Sequence, residues 1–189
     1  HNIRTLEGLP LSLSKSFSEK IEIRGEVYIS IPDFESINAA RDKQGLSIFA
    51  NPRNLAAGSI KLLNADECRE RKLRGVFYGV GEKDSFFKKQ SEVLPQLKEW
   101  GFPVLEKVWN VNSIEGVWSA IEELDLLRKK FSYTTDGAVI KINSRSFQKQ
   151  LGNTAKAPRW AIAYKFEPEQ AETRIESIEI SVGRTGVLT

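Results

Sequence analysis

Residues 136–166 read DGAVIKINSRSFQKQLGNTAKAPRWAIAYKF, and this stretch predicts two short strands joined by a short helix that ends at Gly152. In the second strand, over 160–166, large apolar residues alternate with small residues and a lysine. The predicted core face holds Trp160, Ile162, Tyr164 and Phe166, and the opposite face holds Arg159, Ala161, Ala163 and Lys165.

The two strands each carry a lysine that could meet an anion. Lys165 is flanked by alanines, so it could offer a fixed positive charge to a phosphate; the alternative is a solvated surface lysine. Lys141 ends the first strand, over 136–142. Asp136 and Lys141 have opposite parity, so either Gly137 marks a bulge or the two side chains work on different sides. Asp136-Gly137 could also be an ordinary hairpin turn.

An upstream strand over 21–31 also alternates, with isoleucines and a valine on one face and Glu22, Arg24 and Glu26 on the other. A carboxylate there could accept hydrogen bonds from a sugar hydroxyl. The same triplet could equally be a charge ladder that faces solvent.

Further binding candidates lie between residues 51 and 81. Asn51-Pro52 predicts a turn, and Asn54 is expected to cap a helix to about residue 63, which sets Arg53 beside a helix N-terminus that attracts anions. Lys61 lies near the other end of that helix. The strand over 75–81 puts Val76, Tyr78 and Val80 together, and Tyr78 could stack on a base or be an ordinary core aromatic.

The remaining segments predict an α+β fold without a regular βαβ repeat. Helices are expected from 32–33 to 43–45, from 85 to 100 with Pro95 causing a kink or a late start, and from Ser113 to near Lys130. A brief extended segment is expected at 48–49 and a strand over 104–111. From Pro168 a second alternating pattern begins, which predicts a first domain over 1–167 and a second, β domain over 168–189.

Composition narrows the function classes. The chain has 40% hydrophobic and 28% charged residues with a net charge of +3, which fits a soluble globular protein and does not by itself argue for nucleic acid. No apolar run approaches the roughly 20 residues of a membrane span, so an intracellular protein is expected. With one cysteine, Cys68, and one histidine, His1, disulfide frameworks, four-cysteine zinc sites and histidine triads are excluded within this stretch.

Four motifs in this order strongly resemble the bacterial NAD-dependent DNA ligases. They are Glu-x-Arg-Gly-Glu-Val at 22–27, Asn-Pro-Arg-Asn at 51–54, Asp-Gly-Ala-Val-Ile-Lys at 136–141 and Ala-Pro-Arg-Trp-Ala-Ile-Ala-Tyr-Lys-Phe at 157–166. Gly-Arg-Thr-Gly at 183–186 resembles the start of that family's OB-fold domain. The resemblance implies a nucleotidyltransferase (ATP-grasp-like) adenylation domain with mixed or antiparallel sheets, followed by the start of an OB-fold β-barrel.

The resemblance also implies chemistry: a lysine in a Lys-x-Asp-Gly motif takes AMP from NAD and passes it to the 5′-phosphate of nicked double-stranded DNA, with Mg²⁺ as cofactor. Glu26 matches the glutamate that contacts the adenosine, Tyr78 the aromatic that stacks on adenine, and Lys141 and Lys165 the pair near the reacting phosphate. Arg53, Lys61, Arg128 and Asp136 match residues that support nucleotide or DNA. Lys61 stands where the family has arginine. A lysine keeps the positive charge but lacks the bidentate fork of a guanidinium.

The sequence contains no Lys-x-Asp-Gly motif and no methionine. We therefore expect an internal piece of a cytoplasmic enzyme, which is inactive alone because its nucleophile precedes His1. The other explanation for the absence of methionine is that modified methionines were lost from the sequence. No residue is predicted as a metal ligand, and no membrane or protein partner is implied. Competing interpretations are an ATP-dependent polynucleotide ligase, a capping-type nucleotidyltransferase, or a non-catalytic nucleic-acid-binding module.

Overall fold

Antiparallel strand pairing and capped helices define the fold of the computed structural model, which describes residues 1–13, 20–81, 86–167 and 173–188. Strand β1 (Ile23–Tyr28) pairs with β2 (Arg74–Val80), and β3 (Gly137–Lys141) pairs with β4 (Ala161–Lys165). Each pair is an antiparallel two-stranded sheet. The α+β class predicted from the sequence is therefore confirmed.

Five of the six α-helices in the described ranges begin where a polar side chain accepts a hydrogen bond from a backbone N–H, as expected for an N-cap. Ser30, Asn51, Asn64, Ser113 and Ser144 each cap a helix in this way. The helices are α1 (Ile31–Lys43), α2 (Pro52–Ser59), α3 (Ala65–Glu70), α4 (Val93–Glu99), α5 (Ile114–Arg128) and α6 (Arg145–Leu151), with 3₁₀ turns at Asn2–Thr5 and Gln90–Glu92.

Two apolar clusters pack around the β1–β2 sheet and the segments beside it. Buried residues of the first cluster come from α2, α3 and the segments that follow the N-terminal turn, follow β1 and precede β2; those of the second come from β2, α4 and the segments beside α4. The first comprises Leu6, Ile29, Leu55, Ala56, Cys68 and Leu73; the second comprises Val80, Phe87, Val93, Leu97 and Trp100.

A bulge in β2 changes which residues share a face. Arg24 pairs with Gly79 and Gly25 pairs with Phe77, so Tyr78 is an extra residue on β2 without a partner on β1. Phe77 and Val80 therefore both pack in the second apolar cluster, three residues apart. The prediction that Tyr78 and Val80 share a face is wrong, because the bulge reverses the parity between them.

Several predicted boundaries move. Asn51, and not Asn54, caps α2, and the helix ends at Ser59 rather than near residue 63. Residue 85, the predicted start of the next helix, lies outside the described residues. Helix α4 starts late, at Val93, so Pro95 lies in its first turn. Backbone N–H groups in the first turn have no partner within the helix, so the proline costs no hydrogen bond there. Residues 48–49 lie in no strand.

Residues 104–111 form no strand. Val104 makes a single parallel bridge to Phe77, and the rest of the segment has no strand beside it to pair with. Lys107 and Trp109 instead bond to Glu123 on α5 at 2.7 and 2.6 Å. Side-chain contacts to a helix replace the backbone ladder that the prediction required.

The strand predicted after residue 168 is likewise absent from residues 173–188. The described part of this segment has one isolated bridge, between Val182 and Leu188. Its apolar side chains are exposed, including Ile175 at 73% and Ile178 at 80%. The predicted domain start at 168 falls on residues 168–172, which lie outside the described residues.

Candidate functional site

The antiparallel pairing of β3 with β4 sets Lys141 and Lys165 on one face. Lys165 lies opposite Gly137 and Lys141 lies opposite Ala161, and directly opposed residues in an antiparallel pair share a face. Four residues separate the two lysine positions along the strands, which corresponds to about 13 Å. Between them the face carries only Val139 and Ala163. The result is a surface of small side chains with a cation at each end.

Gly137 allows the strands to approach closely at the Lys165 end. A Cβ at Gly137 would lie 2.0 Å from the carbonyl oxygen of Tyr164, which no side chain tolerates. The register from Gly137 to Lys141 shows no shift, so the bulge considered for Gly137 is absent. Asp136 and Lys141 accordingly meet different partners, which is the second of the two alternatives.

Lys141 contacts Tyr78 of the other sheet. Its Nζ lies 5.3 Å from the centroid of the Tyr78 ring, within the range of a cation–π contact. Burial lowers the pKa of the Lys141 ammonium, and the nearby Arg145 guanidinium lowers that pKa further. Tyr78, the extra residue at the bulge, is 36% exposed, so its side chain could also receive a flat ligand.

The face that carries Lys141 and Lys165 is one centre of the candidate site, and Arg53 connects three elements at a second centre. Its Nη1 donates to Oδ2 of Asp136 at 2.9 Å, and its Nη2 lies 4.0 Å from Oε1 of Glu26. The guanidinium extends from the first turn of α2, Glu26 lies on β1, and Asp136 directly precedes β3. All three side chains are more than half exposed, so the cluster is open to a polar ligand.

The charge-ladder alternative applies to part of β1. Arg24 donates to Glu22 at 2.6 Å in an exposed local pair. Glu26, two residues on, faces the Arg53 guanidinium instead. The carboxylate of the candidate site is thus distinguished from its neighbours by a partner from outside its own sheet.

Lys165 differs from Lys141 in having no partner for its ammonium among the described residues. Its side chain is exposed, and no carboxylate within that part of the chain forms an ion pair with it. The predicted core face of β4 is also more open than expected, since Ile162 is 70% exposed. Tyr164 and Phe166 on that face pack against α5 and each other, with Trp118 centred 5.5 Å from Tyr164.

Two predicted residues lie apart from both centres. Lys61 follows the end of α2, roughly 12 Å along the helix axis from Arg53, and is exposed. Arg128 bonds Asp125 at 2.6 Å and stacks 4.5 Å above the Phe166 ring. Its two partners, Asp125 and Phe166, line a cavity of about 330 Å³ between α5 and β4, and neither Arg128 nor either candidate lysine lines that cavity.

Sequence reasoning missed two buried polar residues of α6, Arg145 and Gln148, which are 8% and 4% exposed. They contact the ends of β2 and β3 close to Lys141. A seven-residue helix carries too little periodicity for the sequence to separate a buried arginine from an exposed one.

No metal site or membrane span is evident in the described ranges. Residues 1–13, 20–81, 86–167 and 173–188 contain no group of three His, Cys, Asp or Glu side chains that could hold a metal ion. Over the same ranges, none of the helices combines the length and apolar character needed to cross a membrane.

Comparisons with known proteins identify close relatives. The family model of the NAD-dependent DNA ligase adenylation domain matches residues 1–169. The DNA ligase of Protochlamydia amoebophila is 47% identical over 190 residues, and DNA ligase 1 of Opitutus terrae is 43% identical over 195. Each alignment covers 100% of this chain and 29% of the relative, so the chain spans less than a third of the length of these proteins.

Proposed function

The chain belongs to the NAD-dependent DNA ligase family, and from this premise we propose that it binds the adenylate of NAD and supports its transfer to nicked double-stranded DNA. The observation that carries the proposal is the common face of Lys141 and Lys165, with small residues between them and Tyr78 against one end. Two cations on one face, beside a flat aromatic side chain, suit a nucleotide and its phosphate.

The proposed reaction has three successive displacements at phosphorus, of which the first two transfer AMP and the third joins the DNA ends. A lysine amine attacks the α-phosphorus of NAD, nicotinamide mononucleotide leaves, and AMP remains on the lysine through a P–N bond. An oxygen of the 5′-phosphate at the nick then attacks the AMP phosphorus and releases the lysine. The 3′-hydroxyl finally attacks the 5′-phosphorus and AMP departs. These residues contain no Lys-x-Asp-Gly, so none of them is the attacking lysine and this chain alone should not become adenylated.

We assign to Lys141 and Lys165 the role of stabilising the negative charge that develops on the phosphate. Phosphoryl transfer depends mainly on positioning and on stabilising charge on the phosphoryl oxygens. Lys165 supports this assignment because its ammonium has no ion-pair partner in the described part of the chain and can meet an anion. Lys141 supports it because a partly desolvated cation interacts more strongly with a phosphate than a hydrated one.

We assign to Tyr78 and Glu26 the contacts with the nucleoside. The exposed ring of Tyr78 can stack on adenine, and the exposed carboxylate of Glu26 can accept hydrogen bonds from ribose hydroxyls. Arg53 and Asp136 support that end by orienting Glu26. Lys61 and Arg128 lie apart from these groups, so we assign them at most a contact with DNA.

Mg²⁺ is expected for the family reaction, yet the described residues do not fit a protein-built Mg²⁺ site. The two carboxylates of the candidate site, Glu26 and Asp136, both face the Arg53 guanidinium. Mg²⁺ in such enzymes is commonly held by substrate phosphates and few carboxylates, and its chemistry there is to neutralise phosphate charge. No step is derived through it.

The finer architecture belongs to the same proposal. We assign 1–167 to the adenylation domain, of ATP-grasp-like nucleotidyltransferase fold, and 168–189 to the beginning of an OB-fold. The exposed isoleucines at 175, 178 and 180 support the second assignment. A folded domain rarely exposes several large apolar side chains together, so these residues are expected to pack within a β domain. A DNA substrate in bacteria would place the enzyme in the cytoplasm.

The test uses the intact ligase that carries these residues and NAD labelled in its adenylate. Wild-type enzyme should take up label from NAD and none from labelled ATP. Lys165→Ala should reduce labelling at least about 100-fold, because a positioned charge on a transferring phosphoryl group contributes roughly that much. Lys149→Ala, an exposed lysine on α6, is the matched control and should label normally.

Each result bears on a different part of the proposal. Normal labelling of folded Lys165→Ala would refute the role of that lysine. Labelling from ATP in place of NAD would identify an ATP-dependent ligase or a capping-type enzyme. Nucleic-acid binding without labelling from either donor would identify a non-catalytic module.

A further inference from the structure

Helix α6 buries two polar side chains beside the candidate site, although it is only seven residues long. Arg145 is 8% exposed and Gln148 is 4% exposed. Burying a guanidinium or an amide is unfavourable unless hydrogen bonds replace those to water. The partners of these two residues therefore indicate what the helix holds in place.

Gln148 holds the end of β3. Its Nε2 donates to the carbonyl oxygen of Ile142 at 2.6 Å and to Oε1 of Gln90 at 3.2 Å. Ile142 is the residue that follows Lys141, so this bond fixes the backbone directly after the lysine. The Gln148 side chain thus connects β3 to the 3₁₀ turn before α4.

Arg145 extends the connection to the end of β2. Its Nη1 donates to Oε1 of Gln148 at 3.1 Å, and its Nη2 lies 3.5 Å from the carbonyl oxygen of Gly81. Gly81 comes three residues after Tyr78. One buried network therefore links the strand end beside Tyr78 to the strand end beside Lys141, although β2 and β3 belong to different sheets.

Backbone hydrogen bonds between the segment that follows β2 and the segment that follows β3 support the link, and we call this line of contact the seam. Gln90 N donates to the carbonyl oxygen of Asn143 at 2.7 Å, and Ser91 N donates to its Oδ1 at 2.9 Å. Lys89 forms an isolated bridge with Ser144. The seam thus joins the segment after β2 to the segment after β3 at several consecutive residues.

We propose that Gln148, oriented by Arg145, is a positioning residue that sets Lys141 at its distance from Tyr78. The inference rests on the proposed function, in which Tyr78 stacks on the base and Lys141 meets the phosphate. The two side chains meet across two sheets that share no backbone ladder, so the buried network fixes a spacing that the sheets alone leave open. A displacement of about 1 Å at a reacting phosphate can reduce the rate by roughly 100-fold.

The test compares Gln148→Leu with Gln150→Leu in the intact enzyme. Leucine keeps the size of Gln148 and removes its donor; Gln150 is exposed on the same helix and is the matched control. For Gln148→Leu we expect the rate of AMP transfer at saturating NAD, per folded enzyme, to fall at least about 10-fold while KM changes less than about 3-fold. Gln150→Leu should match wild type.

Arg145→Lys provides a second variant if Gln148→Leu fails to fold. It keeps the charge, but a single ammonium lacks the planar fork that reaches both Gln148 and Gly81. We expect the same loss of rate at nearly unchanged KM. A folded variant with the wild-type rate overturns the proposal. Loss of folding in both variants overturns it as well, because the network then stabilises the fold and does no more.

Failure of the proposed function can be told apart from failure of this inference. If wild-type enzyme takes no AMP from NAD, the proposed function fails irrespective of Gln148. The geometry is then tested directly by a crystal structure of Gln148→Leu, in which the 5.3 Å contact between Lys141 and Tyr78 should be lost. An unchanged contact in that structure overturns the positioning role.

Discussion

Arg53 and Asp136 form a hydrogen-bonded ion pair at 2.9 Å although 83 positions separate them in the sequence. The pair joins the N-terminus of α2 to the start of β3. Its side chains are 74% and 67% exposed, and exposed pairs of this kind contribute only about 0.2–1 kcal/mol to stability. The arrangement therefore matters for the geometry of the site more than for the free energy of folding.

A double-mutant cycle on Arg53→Gln and Asp136→Asn should show this division. We expect each change to alter the free energy of unfolding by less than about 1 kcal/mol, with a coupling energy of similar or smaller size. AMP transfer in the intact enzyme should fall for Arg53→Gln, because Glu26 loses the cation that orients it. Denaturant unfolding and labelled-NAD assays measure the two effects. A coupling energy above about 2 kcal/mol would instead make the pair a stabilising element.

Alternation in the sequence was sufficient to locate most of the strands that carry the candidate residues. Glu26, Tyr78 and Lys165 lie on strands predicted from period-two patterns, and Lys141 lies on a strand predicted without one. The common face of the two lysines required the pairing register, which depends on contacts between strands and not on either strand alone. The bulge at Tyr78 was also invisible, since inserting one residue leaves the local composition of a strand unchanged.

Long-range partners account for the predictions that were wrong or incomplete. Residues 104–111 have a strand-like composition, but Lys107 and Trp109 bond to Glu123 and no strand lies beside most of the segment. The support of nucleotide or DNA that the resemblance implies for Arg128 stays a prediction, and nothing in the sequence indicated that its guanidinium stacks on Phe166. Neither partner is near in sequence, so neither contact can be read from local pattern.

Gly137→Ala should disrupt the β3–β4 sheet that carries both lysines. The new methyl group would lie 2.0 Å from the Tyr164 carbonyl oxygen, so β3 and β4 must separate. We expect a loss of about 1–3 kcal/mol or more in the free energy of unfolding, as for other overpacked sites. Gly58→Ala is the control: nothing lies within 4 Å of that position in α2, and alanine there should stabilise by about 0.4–1 kcal/mol. Equal effects of the two changes in thermal unfolding would contradict the close approach.

Glu123→Gln should release the segment over 104–111 from α5. Hydrogen bonds from Lys107 and then from Trp109 lower the pKa of the Glu123 carboxyl. A carboxyl with a lowered pKa contributes stability above its unfolded-state value of 4.5, and this is lost as the pH falls through the folded-state value. We expect Trp109 fluorescence to change on acidification in wild type and to be already changed at neutral pH in Glu123→Gln. Glu122→Gln, the adjacent exposed residue, should behave as wild type; a change there as large as in Glu123→Gln would refute the assignment.

Lys141→Met should separate stability from function. Burial lowers the pKa of Lys141, with a smaller contribution from Arg145, so the charged form is less favourable in the folded state than in the unfolded state. Between the lowered pKa and 10.5 the unfolded chain binds more protons, so the wild-type penalty is full below the lowered pKa and diminishes as the pH rises through that window. Methionine removes the ionisation altogether.

The variant should therefore be at least as stable as wild type at pH 7, and its advantage should shrink toward pH 10, while AMP transfer is lost in the intact enzyme. Denaturant unfolding at the two pH values gives the difference between the proteins, which cancels the titration of the other lysines and tyrosines. Lys149→Met on α6 is the control, because that exposed lysine should show no such pH-dependent difference. A Lys141→Met protein that is less stable at pH 7 than at pH 10, relative to wild type, would mean that the ammonium stabilises the fold through its contact with Tyr78. The cation would then serve folding first, and its role at the phosphate would need independent support.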